Sequence, residues 1–337
     1  MSLRNNLLRQ LADGRFHSGE LLGKQLGVSR AAIWKHFKAI ETELGLPVQA
    51  VQGRGYRLAS PLELLQAEQI ADLFTQRTQK LVGNLHIHHS VDSTNSWLMQ
   101  QASRGAASGS ICLAEQQSAG RGRHGRQWIS PFGRNIYLSL LWRFAMAPAE
   151  VAGLSLAAGI AVLRSLQAIG CHEAGLKWPN DILWRQKKLA GLLLEVSGEV
   201  DGPSQVVLGV GLNISLQSHG REIDQPWTDL ASISGLQPYS RNAVTASLIN
   251  NLLAVIETYQ ASGLAAFIDE WERHDLLQGG DVVVRSSNRA YQGKHLGIDR
   301  SGAIRLLVDG EPRLFFAGEV SLRTSCLLYT SDAADDY

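Results

Sequence analysis

The glycine- and arginine-rich segment Gly120–Arg126 (GRGRHGR) constrains the fold more than any other part of the sequence. It fits the pattern GxGxxG, which in a dinucleotide-binding fold must open a helix whose positive end faces a pyrophosphate. Here Gln127–Gly133 follows, with Pro131 inside it, and then an apolar strand, so no helix can begin there. The P-loop pattern also fails, because Arg126-Gln127 stands where Lys-Ser/Thr is required.

This segment is therefore interpreted as a loop that binds an anion. Arginine forks match phosphate oxygens, and glycines let backbone N–H groups come close to an anion. The alternative is a solvated basic turn. Three other clusters could surround the same polyanionic substrate: KWPND at 177–181, KLAG at 188–191 and the polar group Ser93–Asn95. Each also has a plain structural interpretation, since a lysine that opens a buried strand covers apolar surface and a Ser-Thr-Asn group caps a helix.

Strands and helices alternate between residues 61 and 270, which predicts a mixed α/β domain. We expect a junction helix at Pro61–Arg77 and further helices at Val151–Ile169 and Arg241–Ala261. The predicted strands are Leu85–His89, Ser110–Glu115, Asn135–Trp142, Asp181–Trp184, Lys188–Glu195 and Val206–Asn213. From residue 271 to 323 the pattern changes to short alternating strands with Gly and Asp at the turns, which predicts a small β-barrel.

The first 60 residues form a separate basic region. They carry nine Lys or Arg and four Asp or Glu, whereas acids outnumber bases in the rest of the chain, so a polyanionic partner is expected for this region alone. Ser18 and Ser29 can cap two helices around the turn Leu26–Ser29, and the hairpin Val48–Leu58 follows as a wing. The inward stripe of the second capped helix is predicted to be Ile33, Phe37, Ile40 and Leu44. This order predicts a winged helix-turn-helix that binds DNA; a small helical domain that binds protein is the alternative.

Several classes of protein are disfavoured. Three cysteines, odd in number and far apart, argue against a disulfide framework or a zinc ribbon and favour a reducing cytoplasm. No signal peptide is recognised, and the most apolar stretch, Val151–Leu163, is too short to span a bilayer, so no membrane partner is expected. No metal site is predicted, because His86, His88 and His89 have no acidic or Cys partner nearby in sequence. Residues 324–337 match no preceding periodicity and are interpreted as a non-native tail.

Five motifs, in this order, resemble those of biotin–protein ligases. They are Ser93-Thr94-Asn95, Gln117 followed by GRGRxGRxW from Gly120 to Trp128, KWPND at 177–181, KLAG at 188–191 and GVGLN at 209–213. With the N-terminal helix-turn-helix, the chain resembles the bifunctional ligase/repressors from about residue 3 to 323. The resemblance implies an α+β multidomain protein: a winged helix-turn-helix at 1–60, a mixed-sheet α/β catalytic domain at 61–270 and an SH3-like barrel at 271–323.

The resemblance implies that biotin and ATP give biotinyl-5′-AMP, whose acyl group then passes to a lysine of a biotin carboxyl carrier protein. Attack of a carboxylate on the α-phosphate brings two anions together, so the site must supply cations, with Mg²⁺ on the triphosphate. Lys188 would hold the biotin carboxylate, and Asp181 would take the proton of the acceptor lysine. The residues implied to carry catalysis are Lys188, Lys177, Asp181 and Arg121. Those implied to bind biotin or the adenylate are Ser93, Thr94, Asn95, Gln117, Arg121, Gly122, Arg123, Trp128, Asn180, Lys188, Gly191, Asn213 and Trp227.

A lid and a regulatory role complete the expectations. Ser215–Trp227 is predicted to close over the adenylate, with Leu216, Ile223 and Trp227 as its apolar residues. If its ordering creates a self-complementary surface, the adenylate drives homodimerisation, and two heads reach the half-sites of an operator that controls biotin synthesis genes. The residues expected to contact DNA are Ser29, Arg30, Ala31, Lys35, Arg54 and Arg57. Two other functions stay open: a repressor that senses biotin without catalysis, and a lipoate ligase or octanoyl transferase of the same fold.

Overall fold

The computed structural model describes residues 3–216, 220, 223–285, 289–317 and 321–324. Three bodies follow one another along the chain: a helical head with a two-stranded hairpin, a seven-stranded sheet with helices on both faces, and a five-stranded sheet. The interpretation of the tail concerns 324–337, of which all but Thr324 lies outside the described residues. Among the helices that the structure describes, none combines the length and the apolar character needed to cross a bilayer.

The head contains the predicted helix-turn-helix and wing. Its elements are α1 (Leu3–Leu11), α2 (Gly19–Leu26), α3 (Arg30–Leu44), β1 (Val48–Val51) and β2 (Gly55–Leu58). The Ser18 and Ser29 hydroxyls accept hydrogen bonds from the backbone N–H groups of Leu21 and Ala32, so both predicted N-caps are confirmed. Between the two helices Gly27 adopts φ 69°, a left-handed conformation that favours glycine.

The core of the head extends beyond its own helices. The predicted stripe of α3 is buried, from Ile33 at 0% exposure to Leu44 at 9%. The same apolar cluster includes Leu62 and Leu64 from the following segment and Phe132 from the loop that ends the glycine- and arginine-rich region. The head therefore packs directly against the segment that carries the candidate anion-binding loop.

The predicted junction helix at Pro61–Arg77 is wrong. Residues 61–66 are not helical, and two short helices follow, α4 (Ala67–Ala71) and α5 (Gln76–Leu81). The Glu115 carboxylate accepts the N–H of Leu65 at 2.6 Å, and the Asn242 side chain accepts the N–H of Gln66 at 2.8 Å. These distant side chains replace helical hydrogen bonds, which local sequence patterns cannot foresee.

The central sheet is mixed, with the order β3-β4-β5-β9-β8-β7-β6. Only β3 and β4 are parallel; every other neighbouring pair is antiparallel. Its strands are β3 (Leu85–His88), β4 (Ile111–Ala114), β5 (Asn135–Phe144), β6 (Ala174–Lys177), β7 (Asp181–Trp184), β8 (Lys187–Gly198) and β9 (Ser204–Asn213). The predicted strands and the two long predicted helices of this region are thus confirmed, with shifted ends.

Helices cover both faces of this sheet, but unequally. The main core lies between one face and the helices α7 (Leu154–Gln167) and α8 (Arg241–Ser262). On the other face α6 (Thr94–Ser103) packs through Leu98 onto β4, β5 and β9. Because α6 covers only part of that face, alternate side chains of β7, β8 and β9 stay accessible beside its N-terminus.

The C-terminal sheet is antiparallel, with the order β13-β12-β11-β10-β14. Its strands are β10 (Asp281–Arg285), β11 (Ala290–Ile298), β12 (Ile304–Val308), β13 (Glu311–Phe315) and β14 (Ser321–Thr324). Within the part of the chain that the structure describes, β13 and β14 do not pair, so the predicted small barrel is not closed. Apolar residues of this sheet belong to the same core as the central domain.

A short segment after α9 (Ile268–Arg273) joins the two sheets. The N–H of Leu176 on β6 donates to the His274 carbonyl, and the N–H of Leu276 donates back to the Leu176 carbonyl. Between these bonds the Asp275 carboxylate lies 2.6 Å from Nε2 of His295 on β11, and both side chains are completely buried. The second sheet is therefore anchored at the edge of the first.

Candidate active site

A cleft of about 1100 Å³, including the solvent at its mouth, opens on the face of the central sheet beside α6. Its walls bring together most of the residues implied by the resemblance: Ser93, Thr94, Asn95, Gln117, Arg121, Gly122, Arg123, Trp128, Lys177, Asn180, Asp181, Lys188 and Gly191. These residues come from six separate segments of the chain. They form a single site because alternate residues of neighbouring strands point to the same face of a sheet.

Two lysines flank one carboxylate at one end of this cleft. Lys177, the last residue of β6, pairs in register with Asp181, the first residue of β7. The Lys188 ammonium, from the next strand, lies 2.7 Å from the Asp181 carboxylate, and both side chains are largely buried. The hairpin β6–β7 and the adjacent start of β8 thus place two positive charges around one negative charge.

Glycines make the floor of the cleft. Gly191 and Gly211 are paired across β8 and β9, and the Trp128 ring lies over both. A Cβ atom at Gly211 would lie 2.5 Å from the Trp128 ring, and one at Gly191 would lie 3.1 Å from it. At Gly209 a Cβ atom would lie 2.3 Å from the Asn95 side chain. Only glycine permits the approaches at 209 and 211, which explains the glycines of GVGLN, while the contact at Gly191 is tight.

The polar group at the start of α6 is held by a buried hydrogen-bond network. Ser93 caps the helix through the N–H of Ser96. The Gln117 side chain accepts from the backbone N–H of Thr94 at 2.9 Å and from its hydroxyl at 3.1 Å. The Ser139 hydroxyl donates to Asn95 Oδ1 at 2.5 Å. The group Ser93–Asn95 therefore both caps α6 and lines the cleft, and the network holds its amide and hydroxyl groups in fixed orientations.

Two of the three arginines of the loop, Arg121 and Arg123, have different partners. One terminal nitrogen of Arg121 donates to the Glu195 carboxylate, 2.8 and 2.9 Å from its two oxygens, and the same carboxylate accepts from Asn95 at 2.7 Å. Arg123 donates to Asn180 at 3.4 Å and to the Ala317 carbonyl. Burial lowers the pKa of Arg123 from its usual value, but a guanidinium so far above neutrality stays charged.

A second cavity adjoins the first and shares Trp128 and Lys188 with it. The predicted residues Asn213 and Trp227 line this second cavity. The backbone on either side of Trp227 pairs with Lys188, whose N–H donates to the Pro226 carbonyl and whose carbonyl accepts from the N–H of Thr228. The Asn213 side chain supports this strand by donating to the Thr228 carbonyl at 3.0 Å.

The predicted lid lies partly outside the described residues, which omit 217–219 and 221–222. Of its three apolar residues, Leu216 is completely buried, while Ile223 and Trp227 line the second cavity. Gly220 lies so close to the Trp227 ring that a Cβ atom there would overlap it. The C-terminal part of the segment, residues 223–227, therefore borders the second cavity.

Ser139 and Glu195 contact residues of the cleft but are not among the residues predicted from the sequence. Ser139 is completely buried on β5, and Glu195 lies on β8, about 75 to 100 residues from its partners Arg121 and Asn95. One signal was available, because Glu195 has the same parity on β8 as Gly191 and thus faces the same side. Nothing in the sequence marks Ser139.

The residues expected to contact DNA lie on one region of the head. Ser29, Arg30, Ala31 and Lys35 are exposed near the N-terminal end of α3, and Arg54 is exposed at the tip of the wing. Arg57 is half-buried, since the guanidinium groups of Arg54 and Arg57 stack on the Phe16 ring at 4.3 and 4.6 Å. This basic surface is separate from the cleft.

The two sites differ in chemistry. The cleft surrounds a volume the size of a small ligand with cations, hydrogen-bonding side chains and aromatic rings, as required for an anionic substrate with a polar ring. The head offers an accessible basic helix and hairpin, as required for the backbone and grooves of a nucleic acid.

Comparison with known proteins finds relatives that contain both a ligase domain and a helix-turn-helix. The model of the biotin/lipoate A/B protein ligase family matches residues 88–213, and that of an HTH domain matches residues 3–57. The bifunctional ligase/repressor BirA of Escherichia coli is 39% identical over 320 residues, 95% of this chain and 97% of that protein. BirA of Bacillus subtilis is 30% identical over 327 residues, 95% of this chain and 99% of that protein.

A solved structure shows the same fold for the larger part of the chain. Biotin protein ligase from Aquifex aeolicus, in complex with biotin and ATP, is 28% identical, with a TM-score of 0.62 over 72% of this chain and 99% of that chain. The biotin--[acetyl-CoA-carboxylase] ligase of Mycobacterium tuberculosis is 39% identical over 68% of this chain and 85% of that protein.

Proposed function

Because this chain belongs to the BirA family of bifunctional ligase/repressors, we propose that it joins biotin to a carrier protein at the expense of ATP and represses transcription with its head. The observation that carries the ligase function is the convergence of Arg121, Lys177, Asp181 and Lys188 on one cleft. Cations placed around a reacting carboxylate and phosphate are what adenylation requires.

In the first step, a carboxylate oxygen of biotin attacks the α-phosphorus of ATP, and the bond to pyrophosphate breaks to give biotinyl-5′-AMP. Lys188 holds the biotin carboxylate, exchanging its contact with Asp181 for one with substrate. Lys177 and Arg121 neutralise the charge that develops on phosphate oxygens. The ureido ring lies against Ser93, Thr94, Asn95 and Gln117, whose donors and acceptors match its own.

The nucleotide extends into the second cavity. Trp128 forms the wall shared by the two cavities, and Trp227 offers a flat aromatic face for the adenine. Mg²⁺ fits this arrangement, because one carboxylate of the cleft together with phosphate oxygens is a donor set it commonly uses, and Asp181 supplies that carboxylate. When bound, Mg²⁺ neutralises the triphosphate. The segment Ser215–Trp227 excludes water from the mixed anhydride.

In the second step, the amine of a carrier lysine attacks the acyl carbon, and AMP leaves. A lysine with a pKa near ~10.4 is almost entirely protonated at neutral pH, so a base must take its proton. Asp181 performs this role once Lys188 has turned to the substrate. Lys188 then stabilises the leaving phosphate.

Repression follows from the same intermediate. The adenylate-bound protein forms a homodimer, which brings two heads to the half-sites of an operator of biotin synthesis genes. Ser29, Arg30, Ala31 and Lys35 contact bases or phosphates, while Arg54 and Arg57 contact the backbone. ATP, DNA and a carrier protein as partners, together with the unpaired cysteines Cys112 and Cys171, support a cytoplasmic location.

The division into parts is also a proposal. We assign residues 1–60 to a winged helix-turn-helix, 61–270 to the catalytic domain, 271–323 to an SH3-like barrel and 324–337 to a non-native tail. The strand order of the C-terminal sheet supports the barrel, since closing β13 onto β14 would complete it.

The test mixes pure full-length protein with biotin, ATP, Mg²⁺ and a biotin carrier domain, and follows the mass of the carrier. We expect the mass of one biotinyl group to be added. Lys188→Met should slow pyrophosphate release about 100-fold or more. Lys187→Met is the matched control, because Lys187 is the exposed neighbour on the same strand.

Different outcomes identify the rival functions. If biotin binds but releases no pyrophosphate from ATP, the chain is a biotin sensor without catalysis. If lipoate or octanoate is activated in preference to biotin when the acids compete, the chain is a lipoate-type enzyme. Equal rates for the two lysine variants would refute the role of Lys188.

A further inference from the structure

One large aromatic side chain of the head has no structural role within the described residues. Trp34 lies on α3 and is 53% exposed. Neither a stacking contact nor a hydrogen bond holds its ring among the residues that the structure describes. A single exposed apolar side chain is ordinary on a protein surface, so the meaning of Trp34 depends on its place in the fold and on the charges around it.

Trp34 lies on the exposed face of α3, in the half of the helix expected to contact DNA. Ala31, Trp34, Lys35 and Lys38 recur at helical spacing and form the exposed face of α3, opposite the buried stripe that includes Ile33 and Phe37. Trp34 is the fifth residue after the Ser29 cap, so it lies in the N-terminal half of the helix. In a helix-turn-helix this part of the second helix enters the major groove.

The positive charges around Trp34 favour a polyanion as the partner of this surface. From Arg30 to Ile40 the helix carries Arg30, Lys35 and Lys38 and no acid, and of these bases Lys38 is paired with Glu41 at 2.7 Å. The wing adds Arg54 and Arg57. A protein-docking surface of the usual kind has an apolar centre with few charges. Here a single aromatic ring lies among cations, as expected where phosphates flank an apolar group.

We propose that Trp34 determines operator choice by contacting the 5-methyl group of thymine in the major groove. This inference rests on the proposed repressor function. The thymine methyl is the apolar group that a base pair presents in the major groove, and aromatic side chains are among those that contact it. Lysine and arginine at neighbouring positions hold the phosphates and so fix the depth at which the indole enters.

The experiment first selects binding sites from random duplex DNA with full-length protein in the presence of biotin, ATP and Mg²⁺. Each thymine of the selected site is then replaced singly by uracil, which removes only the methyl group, and affinity is measured by fluorescence anisotropy. We expect one or two positions in each half-site at which uracil lowers the affinity of the wild type about fourfold, the value of one buried methyl group. Trp34→Ala should bind thymine and uracil duplexes equally.

A matched control separates this role from a general effect of exposed apolar residues. Leu21 lies on α2 and is 61% exposed, so Leu21→Ala removes a comparable side chain away from the reading helix. This variant should keep the uracil sensitivity of the wild type. Trp34→Ala should also leave the dependence of affinity on salt unchanged, whereas Lys35→Ala should reduce it, because only the lysine releases counterions.

The outcomes exclude one another. If no sequence is enriched, the repressor function itself fails. If a site is enriched but uracil has no effect on the wild type, or an equal effect on Trp34→Ala, the role of Trp34 is refuted. If Trp34→Ala weakens dimerisation in sedimentation and leaves thymine recognition unchanged, the ring contacts protein and the proposal is overturned.

Discussion

Replacing Gly211 with alanine tests whether the glycine floor sets the position of Trp128. The added Cβ would lie 2.5 Å from Cε2 and 2.6 Å from Cζ2 of the indole. Carbon atoms pack at about 3.5 Å or more, so the two groups must separate by about 1 Å. The strand cannot yield easily, because Gly211 is paired with Tyr137 on one side and Gly191 on the other. The indole must therefore move.

Movement of the indole should lower activity, because Trp128 is part of both cavities. A misplacement of about 1 Å in a positioning group can cost about 100-fold in rate. We expect kcat/KM of Gly211→Ala to fall by about that factor for biotin and for ATP, measured by pyrophosphate release. Thermal unfolding should show a loss of about 1–3 kcal/mol, typical of overpacking, in a protein that still folds.

Gly191→Ala provides a graded comparison on the paired strand. Its Cβ would lie 3.1 Å from the same indole and 3.1 Å from the Lys188 side chain, so both neighbours need move only slightly. We expect a clearly smaller loss of activity than for Gly211→Ala. If Gly211→Ala retained full activity, or if both variants lost activity equally, the indole would not be positioned by the floor.

Three further changes test other parts of the molecule. Ser139→Ala removes the hydrogen bond that orients Asn95, so KM for biotin should rise about fivefold while KM for ATP changes little. The control is Ser165→Ala, which removes another completely buried hydroxyl. An unchanged KM for biotin in Ser139→Ala would contradict the role of Ser139 in orienting Asn95. Burial alone would raise the pKa of Glu63, but hydrogen bonds from Ser240, Arg241 and Asn242 lower it overall. Its contribution to stability is therefore present above its unfolded pKa and is lost as pH falls through the lower folded value. Wild type should unfold at higher urea than Glu63→Gln at pH 7, and the difference should shrink as pH is lowered below the unfolded pKa; a difference that does not change with pH would refute this reasoning. Phe16→Ala removes the ring on which Arg54 and Arg57 stack. Operator affinity, measured by anisotropy, should fall about threefold, as for loss of an exposed cation–π contact. Unchanged affinity would mean that the stacking does not position the two arginines of the wing for DNA.

Local signals predicted the local structure well. Ser18, Ser29 and Gly27 mark helix ends that the structure confirms, because a cap depends on residues within one turn. The alternation of strands and helices likewise predicted most of the central sheet. The motifs at 93–95, 120–128, 177–181 and 188–191 all line one cleft, as predicted, while the chemical roles of their residues stay predictions.

Long-range contacts were not predictable in the same way. The segment 61–66 is extended because Glu115 and Asn242 accept its N–H groups, and both lie far away in sequence. Ser139 and Glu195 were not predicted because their partners Asn95 and Arg121 lie in other segments, far away in sequence. The predicted barrel depended on pairing between its two edge strands, β13 and β14, which short alternating patterns do not specify.

The anchor between the two sheets has a mechanical consequence. To swing away, the C-terminal sheet would have to break the bonds of Leu176 to the 274–276 segment, separate Asp275 from His295 and expose the apolar core that it shares with the central domain. Such a hinge is costly, so we expect this part of the ligase to behave as a rigid wall. We therefore expect conformational change during turnover in loops rather than between the two sheets.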